Sequence, residues 1–222
     1  MIAIAESEDG FHRAAHRPSR RDDIIAAAVS VFAERGFVET SVNDIADAAK
    51  VSASSVYYHF PTKAHVFDAA TAVVYESLDA AVAAASAVSG VDRGSAEGLF
   101  VIIHGAYQWV TDHPDASKIL YSHLPGATPE SARLRDQHEA RHVAGASRFL
   151  EHAAASSPVA AVGSPAAQLA ARTLVRAMLT MMPLRLEGGM FAKRSSKAIE
   201  ASLEALGIHI IFSSGEVAAG ET

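Results

Sequence analysis

Apolar residues recur along this chain at intervals of three and four. Ile24, Ala28, Val31 and Phe32 form one such stripe, and Val42, Ile45, Ala46 and Ala49 form another. That spacing places them on one face of an α-helix, and the β-branched alternation that marks strands is nearly absent. Local signals bound the helices. Ser19 with Asp22 makes a capping pair ahead of the first stripe, and Gly36 fits just past its end. Ser41 with Asp44 repeats the pair, a third short piece runs from Ser52 to Tyr58, and Thr62 caps a fourth helix reaching about Ser86. Beyond Gly90 the pattern predicts helices at roughly 92–112, 115–123, 130–157, 164–187 and 195–213, punctuated by Pro114, Pro158 and Gly188-Gly189. The expectation is an all-α fold of about nine helices, with no internal repeat. Residues 1–18 and 214–222 read as tails too polar or too small to order themselves.

Composition narrows the class. Of 222 residues, 50% are hydrophobic and 20% charged, which suits a globular chain with a real core. There is no cysteine, so disulfides, thiol nucleophiles and Cys-based zinc sites are excluded. No apolar run reaches the roughly 18 residues needed to span a bilayer. Met1 to Ala5 is followed at once by Glu6, Glu8 and Asp9, unlike a signal peptide, so a cytoplasmic protein without membrane contact is expected. The net charge of −6 is unevenly spread: residues 1–11 carry −3, residues 12–63 carry +1 and residues 64–222 carry −4. Arg13, Arg17, Arg20 and Arg21 bunch at the front, so only this end suits a polyanion.

Helix 41–49, a tight turn and helix 52–58 have the spacing of a helix-turn-helix, whose second helix enters the DNA major groove. Val42, Ile45, Ala46, Ala49, Val51, Val56 and Phe60 supply apolar positions to pack the unit against helix 20–35. Ser52, Ala53, Ser54 and Ser55 are small, which lets a backbone approach base edges, and serine hydroxyls reach bases or phosphates. Tyr57, Tyr58 and His59 add polar tips on flat bodies. Thr62-Lys63 opens a helix whose free N–H groups, with the lysine, suit a phosphate.

These residues in this order resemble a known family. Phe32-x-x-x-Gly36, Thr40-Ser-Val-x-Asp44-Ile-Ala and Ala49-x-Val-Ser52-x-Ser-Ser-Val-Tyr57-Tyr-His-Phe60-x-Thr-Lys63 are similar to the DNA-binding domain of TetR-type transcriptional regulators, from about Arg20 to Phe67. The resemblance implies a domain at 19–66, a helical effector-binding and dimerisation domain at 67–213, and a homodimer on a pseudo-palindromic double-stranded DNA operator. It also implies a non-enzymatic repressor released by a small-molecule effector, with no cofactor. The implied DNA-binding residues are Arg20, Thr40, Ser41, Ser52, Ala53, Ser54, Tyr57, Tyr58, His59 and Lys63, with Thr40 and Tyr58 at phosphates. The groove-facing helix lacks Arg, Lys, Asn and Gln, so hydroxyls, methyl contacts and backbone approach are left to read sequence.

A second motif points elsewhere. His138-Glu139-Ala-Arg-His142 fits the zinc-peptidase pattern His-Glu-x-x-His, with both imidazoles on one helix face and a glutamate as base, and so offers a hydrolase alternative. The third ligand position of the longer pattern is Arg148, which cannot bind zinc. With Arg133, Arg135, Asp136, Arg141 and Arg148 around it, the segment reads as a solvated helix face and no metal site is expected. Helix 92–112, apolar on nearly all sides, reads as central. Its His104, Tyr107, Gln108 and Trp109, with Met178, Met181 and Met182 on a later helix, are the candidate effector contacts. Leu169, Leu174, Leu184, Ile199, Leu203, Leu206, Ile210 and Ile211 provide apolar faces for a four-helix dimer interface.

Overall fold

The computed structural model describes residues 19–87, 95–123, 127–154 and 169–177, with 193–195, 197–199, 201–203 and 205–206. Helices account for nearly all of them, and no strand occurs among the described residues. α1 (Arg20–Glu39) opens on a capping box in which Ser19 and Asp22 each bind the other's backbone N–H. Its regular turns break at Gly36, where φ is 75°, a conformation open to glycine at little cost. α2 (Val42–Ala48) opens on the same device from Ser41 and Asp44. α3 (Ala53–His59) is capped by Ser52, whose hydroxyl accepts the Ser55 N–H, and α4 (Lys63–Ser86) by Thr62, whose hydroxyl accepts the His65 N–H.

The helix starts are thus where the capping residues put them. α5 (Ala96–Asp112) begins four residues later than the periodicity suggests, because Ser95 caps it by accepting the Gly98 N–H at 3.1 Å. His113 and Pro114 end it and start α6 (Pro114–Lys118), which continues through a π-helical turn at Ile119–His123. α7 (Pro129–Ala154) has proline at its first position, where no N–H is needed. Thr128 and Ser131 exchange hydroxyl–N–H bonds across that start. Residues 169–177 are helical, as are the described residues of 197–206 apart from single gaps. The predicted tails, Met178, Met181, Met182, Leu184, Ile210 and Ile211 lie outside the described residues.

Two cores share α4. At the N-terminal end, Ile24, Ala28, Phe32, Ile45, Val56, Phe60 and Phe67 are buried together, with Phe32 edge-on to Phe67 at 4.9 Å. Farther along, α4 packs against α5 and α7. The α4–α5 approach is close: a Cβ on Gly105 would lie 2.5 Å from the Ala85 Cβ. The same long helix therefore carries the first three helices and forms one wall of the rest.

Candidate nucleic-acid interface and interior cavity

The turn between α2 and α3 is built by backbone. Lys50 takes a left-handed φ of 55°, and the N–H groups of Lys50 and Val51 donate back to Asp47 O and Ala46 O. This double bond pattern ends α2 and redirects the chain. α3 then presents Ser52, Ser54, Tyr57 and Tyr58 to solvent, with Tyr57 54% and Tyr58 85% exposed, while Val56 anchors it from below. Among the described residues these are the two exposed large aromatics, and they stand side by side on one short helix.

The other expected contacts divide. Arg20 is exposed at the start of α1, and Arg21 lies with its guanidinium 5.1 Å from the Phe60 ring centre. Ser41 is exposed, though its hydroxyl is engaged with Asp44. Ser41's hydroxyl and backbone N–H, aided by Arg35, hold the Asp44 carboxyl below its ordinary pKa. Ala53 is half-buried and packs on the core, and His59 is half-buried with its ring edge-on to Tyr58. Thr40, expected at a phosphate, is only 2% exposed, and its hydroxyl donates to Gly36 O at 2.7 Å. The left-handed Gly36 leaves a carbonyl outside the helical ladder, and Thr40 satisfies it. Lys63 likewise turns inward: its ammonium donates to Phe37 O at 2.7 Å and Val38 O at 3.1 Å and lies 4.6 Å from the Phe37 ring centre. Two of its three protons are thereby given to the end of α1.

A half-open cavity of about 660 Å³ lies between α4, α5, α7 and residues 169–177. Leu78, Val82, Leu99, Ile103, Phe149 and Leu174 are among its apolar walls, and Asp79, His138, Arg141, His142 and Arg148 gather its polar groups. None of His104, Tyr107, Gln108 and Trp109 lines it. α5 instead turns Leu99, Ile102, Ile103 and Ala106 toward the space. Tyr107 and Trp109 are buried as packing, with Trp109 Nε1 donating to Ser77 Oγ at 2.9 Å; His104 stacks on Phe100, and Gln108 is exposed. Periodicity shows that α5 is apolar on nearly all sides. It does not show on which side the neighbouring helices leave a gap.

The solvated-face reading of 138–142 also needs correcting. His138 is 4% exposed and lies between Tyr75 and His142, whose tilted rings have centres 4.3 and 4.1 Å away. Burial above all, then the neighbouring His142, pushes its imidazole down to about pKa 4, against the opposing pull of Asp79. His142 Nε2 lies 3.0 Å from Asp79 Oδ1, and Arg141 pairs with the other oxygen of that carboxylate. Asp79 carries no sequence signal, because it belongs to a different helix 59 residues before His138. Glu139, the base of the peptidase pattern, is paired with Arg176 at 2.8 Å, so the geometry lends the hydrolase alternative no support.

Comparison with known proteins agrees with this geometry. Residues 24–70 match the family model described as bacterial regulatory proteins, tetR family. The HTH-type transcriptional repressor KstR2 of Mycolicibacterium smegmatis is 47% identical over 45 residues, covering 20% of this chain and 22% of that protein. The match thus spans about a fifth of that relative's length. Among solved structures, a TetR-like transcriptional regulator from Rhodococcus sp. RHA1 superposes with a TM-score of 0.70 at 23% identity, over 92% of this chain and all of that one. FadR from Bacillus subtilis, solved in complex with stearoyl-CoA, gives 0.67 at 16% identity, over 86% of this chain and 97% of that one. Residues 24–70 are thus similar to the tetR family of bacterial regulators, and the described helices share their fold with TetR-like structures along most of the chain. No described helix is long and apolar enough to cross a membrane.

Proposed function

We propose that this chain is a ligand-responsive transcriptional repressor that binds a pseudo-palindromic operator as a homodimer, with residues 19–66 as its DNA-binding domain and 67–213 for effector and dimer contacts. One observation carries the reading: the exposed Ser52–Tyr58 face and the cavity are joined by a single helix, α4. Its N-terminal part packs against α1, on which α3 also rests, and its later turns wall the cavity. The paired recognition helices of a dimer would enter major grooves about 34–36 Å apart. Arg20 and Arg21 support the same face. Cations are disfavoured at a helix N-terminus by the backbone dipole, and a nearby phosphate would reverse that penalty. Leu169, 67% exposed, and Leu206 are apolar side chains available to a second copy, whereas Leu174, Ile199 and Leu203 are buried within the subunit.

The cavity falls within the roughly 300–1,000 Å³ of ordinary ligand sites. Its largely apolar walls, with Asp79, His138, Arg141 and His142 among the polar groups, favour an apolar effector with an oxygen-bearing head, a class to which the ligand of the Bacillus FadR belongs. Release follows only if the effector binds the DNA-incompatible arrangement of α4 more tightly than the compatible one. The test is fluorescence polarisation with duplex from upstream of the chain's own coding region, at several salt concentrations, followed by long-chain acyl compounds. Salt-sensitive binding reversed by such a compound is expected. No binding at low salt to any duplex from that region would overturn the proposal.

A further inference from the structure

The folded chain brings the two histidines of the second motif to a carboxylate from another helix. His138 Nδ1 and His142 Nε2 of α7 lie 2.8 and 3.0 Å from Asp79 Oδ1 of α4, and all three donor atoms fall within 4.8 Å of one another. Donors held about 2.0–2.2 Å from one ion stand roughly 3 Å apart, so the two histidine–carboxylate distances suit a shared metal, toward which the imidazoles would close. His138 is itself buried, and its Nδ1, sealed from solvent, is turned to that carboxylate. Arg141 grips the other oxygen of Asp79, as outer partners of metal ligands do when they fix a carboxylate's orientation.

We propose that Asp79, His138 and His142 form a binding site for a divalent transition-metal ion of the zinc and cobalt kind, stapling α4 to α7 at the polar end of the cavity. Two imidazoles with one carboxylate suit such ions. Calcium and magnesium favour oxygen-rich sets, and here the Arg141 charge opposes any cation held by charge alone. All three residues line the cavity, so an ion they held would sit in its wall, beside the space where a ligand would lie. An oxygen-bearing effector would complete the coordination there; that consequence rests on the repressor reading, whereas the metal site does not.

The test uses the untagged full-length chain. Titration with Co²⁺ is expected to give a visible absorption band saturating at one ion per chain, and a chromogenic chelator competing for Zn²⁺ reports the affinity. Asp79→Asn and His142→Gln, neither at a fully buried position, should each weaken binding more than about tenfold with helical content unchanged. Glu139→Gln, which touches Arg176 instead, should bind like the parent. No cobalt band, or equal affinity in Asp79→Asn and His142→Gln, overturns the proposal. Operator binding is read separately. A chain that takes up cobalt through these residues without ever binding duplex DNA keeps the metal site and loses the repressor reading, and the converse result does the reverse.

Discussion

Tyr58 offers a clean separation of DNA binding from folding. The side chain is 85% exposed and touches its own domain chiefly through the edge of the His59 ring. Tyr58→Phe removes only the hydroxyl, and Tyr58→Ala removes the ring as well. With so little buried, each should change unfolding stability by no more than about 0.5 kcal/mol. The effect on the complex is larger. A hydroxyl donating to a charged phosphate oxygen contributes about 1.5 kcal/mol at the lower end of charge-assisted bonds. A symmetric dimer loses two, or about 3 kcal/mol, which lowers operator affinity about 100-fold. Tyrosine carries no charge here, so the slope of log affinity against log salt should stay that of the parent while the whole line drops. Fluorescence polarisation with the operator duplex at four or more salt concentrations, alongside urea denaturation, measures all three quantities. Parent-like affinity in both variants would refute the assignment, and a drop in the denaturation midpoint matching the affinity loss would show that Tyr58 acts through folding.

Other consequences of the packing are measurable on the protein alone. Gly105→Ala places a methyl 2.5 Å from the Ala85 Cβ, neither atom belonging to a flexible side chain. The helices must part, at about 1–3 kcal/mol of stability by urea denaturation, and an unchanged midpoint would contradict the α4–α5 contact. Lys63→Met keeps the aliphatic stem but removes both bonds to Phe37 O and Val38 O, so the unfolding free energy from urea denaturation should fall by about 2 kcal/mol. A neutral result would return Lys63 to a purely DNA-facing role. Lys50→Gly relieves the left-handed turn and should raise thermal stability by a free energy of about 1 kcal/mol, with a lower melting temperature counting against the turn geometry.

How far the chain could be read before folding varies with the range of the interaction. The helix starts at Ser19, Ser41, Ser52 and Thr62 were legible, because a cap is a contact between residues three apart. The break at Gly36 was legible for the same reason: it depends on one residue's backbone freedom. The recognition helix followed, since its exposed serines and tyrosines and its buried Val56 lie within seven residues. What the tertiary structure alone decided depends on pairs far apart in sequence. Lys63 turns inward because the end of α1, some 25 residues away, presents carbonyls to it. The side of α5 that faces the cavity is set by how closely α4 approaches at Gly105 and by where α7 stops filling the space. Asp79 joins His138 and His142 only because α4 and α7 lie side by side, a juxtaposition that periodicity within either helix cannot encode.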